Sequence, residues 1–304
     1  MAKVRIAPRD YVTGLVVQKL APLTFRSPKV PRPQNRVDPA AEIRVPTRHG
    51  YVRCLVFRPA AQAPLAGTPS RRPPLHLQIH GGGMIIRNVH EDDHICRYLA
   101  SDVGCVVVSI DYHAAPQVTF PVAEEECFDV LEWAVRNADQ QGWDASRISV
   151  GGGSAGGKFS VNVVQQAHAA EIPLRAAVFS YAVVDMTRSD RTSSISRPMI
   201  SPTVQRMVER LYVVDSSVRR SPLASPMLDA DLAAKMPPAV LIQTGDLDTL
   251  GPEMVALAEC LKSSGVDVQH TAYPWDHAFT VSGKSDHIDT SVREIGAFLL
   301  AALG

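Results

Sequence analysis

The chain has 304 residues, of which 45% are hydrophobic and 20% are charged, a composition typical of a globular protein of enzyme size. Lysine plus arginine and aspartate plus glutamate each total 31, so the net charge is zero. This balance predicts no nucleic-acid partner and no attraction to an anionic membrane surface. No apolar run approaches the roughly 18 residues of a membrane helix, so we expect no stable membrane insertion.

The N-terminus and the cysteines favour a cytoplasmic location. The opening residues, MAKVRIAPRDYV, lack the apolar core of a secretory signal. Five cysteines are scattered and odd in number, which predicts reduced thiols rather than a disulfide framework or a zinc site. They are Cys54, Cys96, Cys105, Cys127 and Cys260.

The first 40 residues predict one helix, Tyr11 to Leu20, followed by a connector rich in proline and arginine. A strand hairpin follows at 41–47 and 52–59. Six short and mostly apolar runs then predict strands covered on both faces. These runs are 75–80, 103–112, 147–152, 175–184, 239–245 and 268–273.

Helix-length amphipathic stretches separate most of these strands, at 121–138, 252–263 and 288–302. Alternating strands and helices predict an α/β fold with a mostly parallel central sheet flanked by helices. The polar segment 186–222 interrupts the alternation and contains a helix pattern at 204–213. Because it follows a strand, we expect it to form a small helical cap over the carboxyl edge of the sheet.

The predicted organisation therefore has four parts. Residues 1–40 form an N-terminal cap segment, and 41–185 form the first part of the core. Residues 186–222 form the cap insertion, and 223–304 complete the core. The last helix or the last strand offers an edge for a homodimer.

The candidate nucleophile is Ser154, in the sequence Gly152-Gly153-Ser154-Ala155-Gly156. This G-x-S-x-G pattern follows a predicted strand and precedes a helix, as in the nucleophile elbow of serine hydrolases. Small residues two positions before and after the serine avoid clashes in so sharp a turn.

Two phosphate-loop patterns overlap the same segment. Gly151, Gly153 and Gly156 satisfy G-x-G-x-x-G, with Glu171 about 20 residues further on, but several strands precede this unit instead of following it. Gly152 and Gly157-Lys158 satisfy G-x-x-x-x-G-K, but Phe159 replaces the Ser or Thr that holds magnesium. Neither a dinucleotide-binding loop nor a P-loop would explain the other motifs of the sequence.

A second glycine-rich loop, His80-Gly81-Gly82-Gly83, follows the strand at 75–80. Consecutive glycines allow backbone N–H groups to approach a ligand closely. Such donors stabilise the oxyanion that forms when a serine attacks an ester carbonyl. We expect the oxyanion hole to use Gly82, Gly83 and Ala155, with Gly81 in the same loop.

A base and an acid are expected after the serine in the chain. His270 lies within a strand and His287 in a polar stretch, whereas His277 follows a strand and a Pro-Trp turn. His277 is therefore the predicted base. Asp246 and Asp248 both follow the strand at 239–245, and their spacing alone does not choose between them as the acid.

These motifs resemble the hormone-sensitive-lipase-like esterases, also called bacterial family IV. The family's HGGG, DYRLAPE, GDSAGGN, DPLRDE and HGF motifs correspond in order to HGGGM, DYHAAPQ, GGGSAGGK, DTLGPE and HAF. The resemblance runs from about residue 75 to the C-terminus and implies an α/β-hydrolase fold. It also assigns the acid to Asp248, because Asp248-Thr249-Leu250 and Glu253 lie on DPLRDE.

The chain departs from the family motifs at four positions. Gly153 replaces an aspartate, Lys158 replaces an asparagine, Gln117 replaces a glutamate and Met84 replaces an aromatic residue. None of these positions belongs to the predicted catalytic set of Ser154, His277 and Asp248. The departures bear on substrate preference and local electrostatics.

The resemblance implies a serine carboxylesterase that cleaves short- to medium-chain acyl esters without a metal or organic cofactor. Two alternatives stay open from the sequence. One is an amidase or thioesterase that uses the same three residues. The other is a non-catalytic protein that binds a small molecule.

Overall fold

The computed structural model describes residues 5–24, 27–68 and 70–304. In them, eight strands form one sheet with the order β1-β2-β4-β3-β5-β6-β7-β8. The strands are β1 (Ala41–Thr47), β2 (Gly50–Phe57), β3 (Pro74–Ile79), β4 (Val106–Asp111), β5 (Asp144–Gly153), β6 (Ala176–Ser180), β7 (Ala239–Gly245) and β8 (Val268–Tyr273). Strand β2 runs antiparallel to its neighbours β1 and β4, and the pairings from β4 through β8 are parallel.

Helices cover both faces of this sheet. They are α1 (Pro8–Thr24), α2 (Asp93–Tyr98), α3 (Val122–Arg136), α4 (Ala138–Gln141), α5 (Ala155–Ala169), α6 (Pro202–Leu211), α7 (Leu232–Lys235), α8 (Gly251–Ser263) and α9 (Ser285–Leu303). Successive residues of a strand point to opposite faces: Val108 packs with the cluster that includes α3, α5 and α8, and Val107 packs with α2 and α9. The predicted α/β class, with a mostly parallel sheet between helices, is confirmed.

Some element boundaries differ from the predicted ones. Strand β6 ends at Ser180 instead of continuing to Val184, because Tyr181 has a positive φ of 40°, which no extended strand accommodates. Helix α2 and the π-helical turn that continues it, Leu99–Val103, were absent from the predicted elements. Helix α1 extends the predicted Tyr11–Leu20 helix at both ends, whereas residues 1–4 and 25–26 of the predicted N-terminal cap segment lie outside the described residues.

The N-terminal helix contacts the helix of the 186–222 segment. Helices α1 and α6 are neighbours, and they approach so closely that a methyl group on Gly14 would lie 3.1 Å from Cδ1 of Leu211. Two segments separated by some 180 residues of chain therefore meet on the same side of the molecule. None of the helices in residues 5–24, 27–68 and 70–304 combines the length and hydropathy needed to traverse a bilayer.

Candidate active site

Ser154 lies at the sharp turn between β5 and α5. Its backbone has φ 56° and ψ −120°, a conformation that L-residues rarely adopt and that occurs mostly at functional sites. A methyl group on Gly152 or Gly156 would lie closer than 3.0 Å to the carbonyl oxygen of Ile79. Both glycines are therefore required for β3, β5 and α5 to approach one another at this turn.

Ser154, His277 and Asp248 form a continuous chain of hydrogen bonds. The Ser154 Oγ and the His277 Nε2 are 2.8 Å apart, and the His277 Nδ1 and the Asp248 Oδ2 are also 2.8 Å apart. His277 and Asp248 are only 4% and 3% exposed. The three residues predicted from the sequence thus lie together, although they are separated by up to 123 positions in the chain.

The two candidate acids occupy different environments. The second oxygen of Asp248, Oδ1, accepts a hydrogen bond from the N–H of Leu250 at 3.0 Å, so both carboxylate oxygens are held. Asp246 is exposed, and its backbone N–H donates to the carbonyl of Tyr273. Only Asp248, of these two, contacts the imidazole of His277.

The other two late histidines lie away from Ser154. The Nε2 of His270 lies 3.0 Å from Oγ1 of Thr244, and burial lowers the pKa of this histidine. His287 stacks on Trp275 with ring centroids 3.9 Å apart. Neither ring contacts Asp248.

The loop Gly81–Gly83 lies beside Ser154. Gly82 and Gly83 have positive φ angles of 102° and 58°, which glycine adopts at little cost. No hydrogen bond from the N–H of either glycine to another described residue is present. Ala155 is the first residue of α5, where the helix leaves N–H groups without an internal acceptor.

The tyrosine after β6 explains the unusual Gly153. A methyl group on Gly153 would lie closer than 3.0 Å to the hydroxyl oxygen and two ring carbons of Tyr181. The Tyr181 ring packs edge-on against His277, with centroids 5.0 Å apart, and its hydroxyl hydrogen-bonds to Thr280. Tyr181 thus fills the space that an aspartate side chain at position 153 would need.

Lys158 belongs to a buried ion pair behind the turn. Its Nζ donates to Glu124 at 2.6 Å, to Asn162 at 2.8 Å and to the carbonyl of Leu223 at 3.0 Å. Both Lys158 and Glu124 are fully buried. Burial lowers the pKa of Lys158, and the Glu124 carboxylate opposes that shift.

The other two departures from the family motifs also have structural roles. Gln117 and Gln18 of α1 exchange hydrogen bonds between their amides at 2.7 and 3.1 Å. A glutamate at position 117 has no N–H with which to return this interaction. Met84 is fully buried with a φ of 62°, and its carbonyl accepts from Ala115.

A cavity of about 250 Å³ opens beside Ser154 and His277. Most of its walls are apolar, with Val17 and Ala21 from α1 and Val204, Met207 and Val208 from α6. A smaller cavity of about 50 Å³ also reaches Ser154, and Arg188 and Arg191 line it. Both cavities are lined by Gly83, Ser154 and Val208.

Several residues of the larger cavity gave no signal in the sequence. Glu91 and Asp92 lie 11 and 12 positions after His80 in an irregular segment, and both face the cavity. Tyr181 was assigned to a strand, and nothing in the pattern placed it against His277. No group of three or more His, Cys, Asp or Glu side chains within the described ranges is arranged to hold a metal ion.

Known proteins with similar sequences have the α/β-hydrolase fold or are named as ester hydrolases. Residues 76–281 match the model of a family with the α/β-hydrolase fold. An ethyl acetate hydrolase of Pseudomonas putida is 30% identical over 246 residues, which are 78% of this chain and 74% of that protein. An arylesterase of Saccharolobus solfataricus is 30% identical over 195 residues, or 63% of each chain.

Solved structures resemble almost the whole chain. An esterase of Pyrobaculum calidifontis has a TM-score of 0.79 at 27% identity and covers 97% of this chain, which in turn covers 92% of that one. The thermostable carboxylesterase EstE1, cloned from a metagenomic library, has the same TM-score and identity, with 98% of each chain covered. The chain belongs to the hormone-sensitive-lipase-like, or bacterial family IV, esterases of the α/β-hydrolase superfamily.

Proposed function

We propose that this protein is a serine carboxylesterase that cleaves short- to medium-chain acyl esters through an acyl-enzyme intermediate. The observation that carries the proposal is the hydrogen-bonded chain from Ser154 through His277 to Asp248. In this assignment Ser154 is the nucleophile, His277 the general base and Asp248 the acid that orients the imidazole. The esterase names of the relatives support the same reaction class.

The reaction follows from the positions of these atoms. His277 Nε2 takes the proton of the Ser154 hydroxyl as Oγ bonds to the ester carbonyl carbon. The carbonyl oxygen becomes an oxyanion, for which the N–H groups of Gly82, Gly83 and Ala155 are the proposed donors, in the loop that begins at Gly81. The bond to the alcohol oxygen then breaks, and His277 returns the proton to the alcohol. His277 then takes a proton from a water molecule as the water oxygen bonds to the acyl carbon. The bond to Ser154 Oγ breaks, His277 returns the proton to Oγ, and the carboxylic acid is released.

The size of the cavity supports short to medium acyl chains. A space of about 250 Å³ with apolar walls holds a small ester. We further propose that residues 1–40 and 186–222 act together as a cap over the core segments 41–185 and 223–304. The support is that α1 and α6 contact each other and both line this cavity.

The comparisons do not favour an amidase, a thioesterase or a non-catalytic binding protein. The curated relatives named above are hydrolases of esters. A protein that only binds its ligand has no need of a buried acid and base aligned on a serine in a strained turn.

The test is hydrolysis of p-nitrophenyl esters from acetate to palmitate by the wild type and by Ser154→Ala. We expect turnover of the short and medium esters by the wild type, and a loss of about 10⁴-fold or more in kcat in Ser154→Ala. Ser160→Ala is the matched control, because Ser160 lies on the same helix and its hydroxyl donates to the carbonyl of Gly156. Equal activity of Ser154→Ala and the wild type would exclude Ser154 as the nucleophile.

The cellular location and the oligomeric state of the protein stay predictions. A cytoplasmic location is supported by the five cysteines, all of which are free thiols, and four of which are buried. A homodimer through α9 or the β8 edge is a prediction that gel filtration with light scattering can test.

A further inference from the structure

Two adjacent carboxyl groups lie at the wall of the larger cavity. Glu91 is 8% exposed and Asp92 is 3% exposed, and both line the cavity together with Ser154 and His277. Glu91 is close to the reacting serine: a methyl group on Gly81 would lie 3.4 Å from Oε2 of Glu91 and 3.6 Å from Cβ of Ser154. A substrate bound at Ser154 therefore lies within reach of this carboxyl group.

The other buried acids of the described chain all have a basic partner. Asp111 pairs with Arg53 and Arg87, Glu124 with Lys158, Glu126 with His113, Asp129 with Arg48, Asp229 with Lys235, and Asp248 with His277. Within residues 5–24, 27–68 and 70–304, neither Glu91 nor Asp92 forms an ion pair. They are the exceptions to the pattern that this fold otherwise follows.

Burying a carboxylate without a cation costs free energy. Burial, and to a smaller extent the neighbouring Asp92 carboxyl, raise the pKa of Glu91 to about 8, although the backbone N–H of Gly81 opposes the shift. Among the described residues no lysine or arginine lines this cavity, and its remaining walls are largely apolar. A positively charged group bound in the cavity would supply the missing partner.

Glu91 is better placed than Asp92 to meet such a group. The Asp92 Oδ2 already accepts a hydrogen bond of 2.7 Å from the Nε2 of Gln78, and this side chain is the more buried of the two. The Glu91 carboxyl accepts from the backbone N–H of Gly81 but has no side-chain hydrogen-bond partner among the described residues. Its carboxyl group is therefore the available acceptor in the cavity.

We propose that Glu91 determines substrate specificity by pairing with a positively charged group, so that the enzyme prefers esters that carry an ammonium to neutral esters of the same shape. The proposal rests on the esterase function proposed above. It names the substrate class as esters with an apolar body and one cationic group, in either the acyl or the alcohol part.

The test compares two pairs of esters that differ only in exchanging quaternary nitrogen for carbon. Butyrylcholine and 3,3-dimethylbutyl butyrate place the charge in the alcohol. The p-nitrophenyl esters of 4-(trimethylammonio)butyrate and 5,5-dimethylhexanoate place it in the acyl chain. For each pair, we measure the ratio of kcat/KM for the cationic ester to kcat/KM for the neutral ester. A change in the reactivity of Ser154, His277 or Asp248 affects both esters alike and cancels in this ratio.

We expect the wild type to give a ratio of about 10 or more for at least one pair, which equals about 1.4 kcal/mol of added transition-state binding. Glu91→Gln keeps the size and removes the charge, and Glu91→Thr serves if that variant does not fold. Either should bring the ratio close to 1. Glu259→Gln removes an exposed carboxylate on α8 and should leave the ratio at the wild-type value.

Two results would overturn the proposal: a wild-type ratio near or below 1 for both pairs, or a high ratio that persists in both Glu91 variants. These results differ from a failure of the esterase function itself. In that case the neutral esters would not be hydrolysed, or their hydrolysis would survive Ser154→Ala.

Discussion

Ser154 keeps its strained backbone because the elements on both sides of it hold it there. Its N–H donates to the carbonyl of Ser180 at 3.0 Å, and its carbonyl accepts from the N–H of Lys158 at 3.1 Å. These bonds tie the turn to the end of β6 and to the first turn of α5. The serine side chain is consequently directed at His277 before any substrate binds, so less orientation is required during the reaction.

The environment of the two aspartates after β7 predicts opposite results for the same substitution. Asp248→Asn keeps the size but removes the charge that stabilises the imidazolium and selects its tautomer, so we expect kcat to fall by about 10³–10⁴-fold. Asp246→Asn is the matched control, because this side chain is exposed and does not contact the imidazole. Both variants are measured with p-nitrophenyl butyrate, and thermal unfolding confirms that they fold.

The reverse outcome, with activity lost in Asp246→Asn and kept in Asp248→Asn, would contradict this assignment of the acid. The sequence alone left the two residues equivalent, since both follow the same apolar strand. The family resemblance chose Asp248. The structure explains the choice by the loop geometry, in which the N–H of Leu250 and the Nδ1 of His277 both meet the Asp248 carboxylate.

Residues whose role depends on tertiary packing were harder to predict than residues that stand in sequence motifs. Ser154 and His277 stand in motifs with recognisable spacing. Tyr181 and Glu91 do not, because their roles depend on which distant segments pack against them. The missing side chain at Gly153 was visible in the sequence, but the ring that fills the space belongs to Tyr181, which follows the neighbouring strand β6.

At the scale of elements, one buried ion pair joins α3 to α5. Glu124 of α3 accepts from Lys158 of α5 and also from the hydroxyl of Tyr212, just after α6. Lys158 and Asn162 both donate to the carbonyl of Leu223. The pair therefore links α3 and α5 to Tyr212 and Leu223, at the two ends of the stretch that follows α6.

Removing one member of this pair should destabilise the protein strongly. Lys158→Met leaves the Glu124 carboxylate buried without a cation, and we expect a loss of about 3–5 kcal/mol in the free energy of unfolding. Arg136→Met is the control, because Arg136 pairs with Glu132 on the surface and should change stability by less than about 0.5 kcal/mol. Guanidinium unfolding measures both changes.

The double variant Lys158→Met, Glu124→Gln separates the charge from the packing. If the uncompensated carboxylate is the cause, the second substitution should recover a large part of the loss. A double variant less stable than Lys158→Met would show that the charge of Glu124 is not what makes the single variant unstable.

The sequence predicted those elements whose pattern is local. Strands β3, β4 and β7 are short, mostly apolar runs, and α3 and α9 have long amphipathic patterns. Helix α2 has only six residues before it becomes π-helical, too few to establish a helical period. Its place is fixed by packing against α9 and the sheet, which a single sequence does not reveal.

At the scale of the whole molecule, the 186–222 segment is tied to the loops that carry Asp248 and His277. Ser193 hydrogen-bonds to the carbonyl of Leu247, next to Asp248, and the N–H of Met199 donates to Asp276, next to His277, at 3.0 Å. Arg191 forms an ion pair with Glu253 at the start of α8. This segment, which lines part of the larger cavity, is thus held by the same loops that position the proposed catalytic residues.

The N-terminal helix completes this cavity, and that contribution predicts an effect on chain-length preference. Val17 of α1 lines the cavity, so Val17→Trp should fill part of its 250 Å³. We expect kcat/KM for p-nitrophenyl octanoate to fall about tenfold or more relative to acetate, because a few methylene groups lose their apolar contacts. Acetate, which needs only the space next to Ser154, should be hydrolysed at close to the wild-type rate.

Val16→Trp provides the matched control for this experiment. Val16 is the neighbouring residue on the same helix, is 50% exposed and does not line the cavity. It should leave the ratio of octanoate to acetate unchanged, since the added ring points away from the substrate. An equal change of the ratio in both variants would mean that α1 affects the site through its general stability, and that the cavity seen beside Ser154 does not hold the acyl chain.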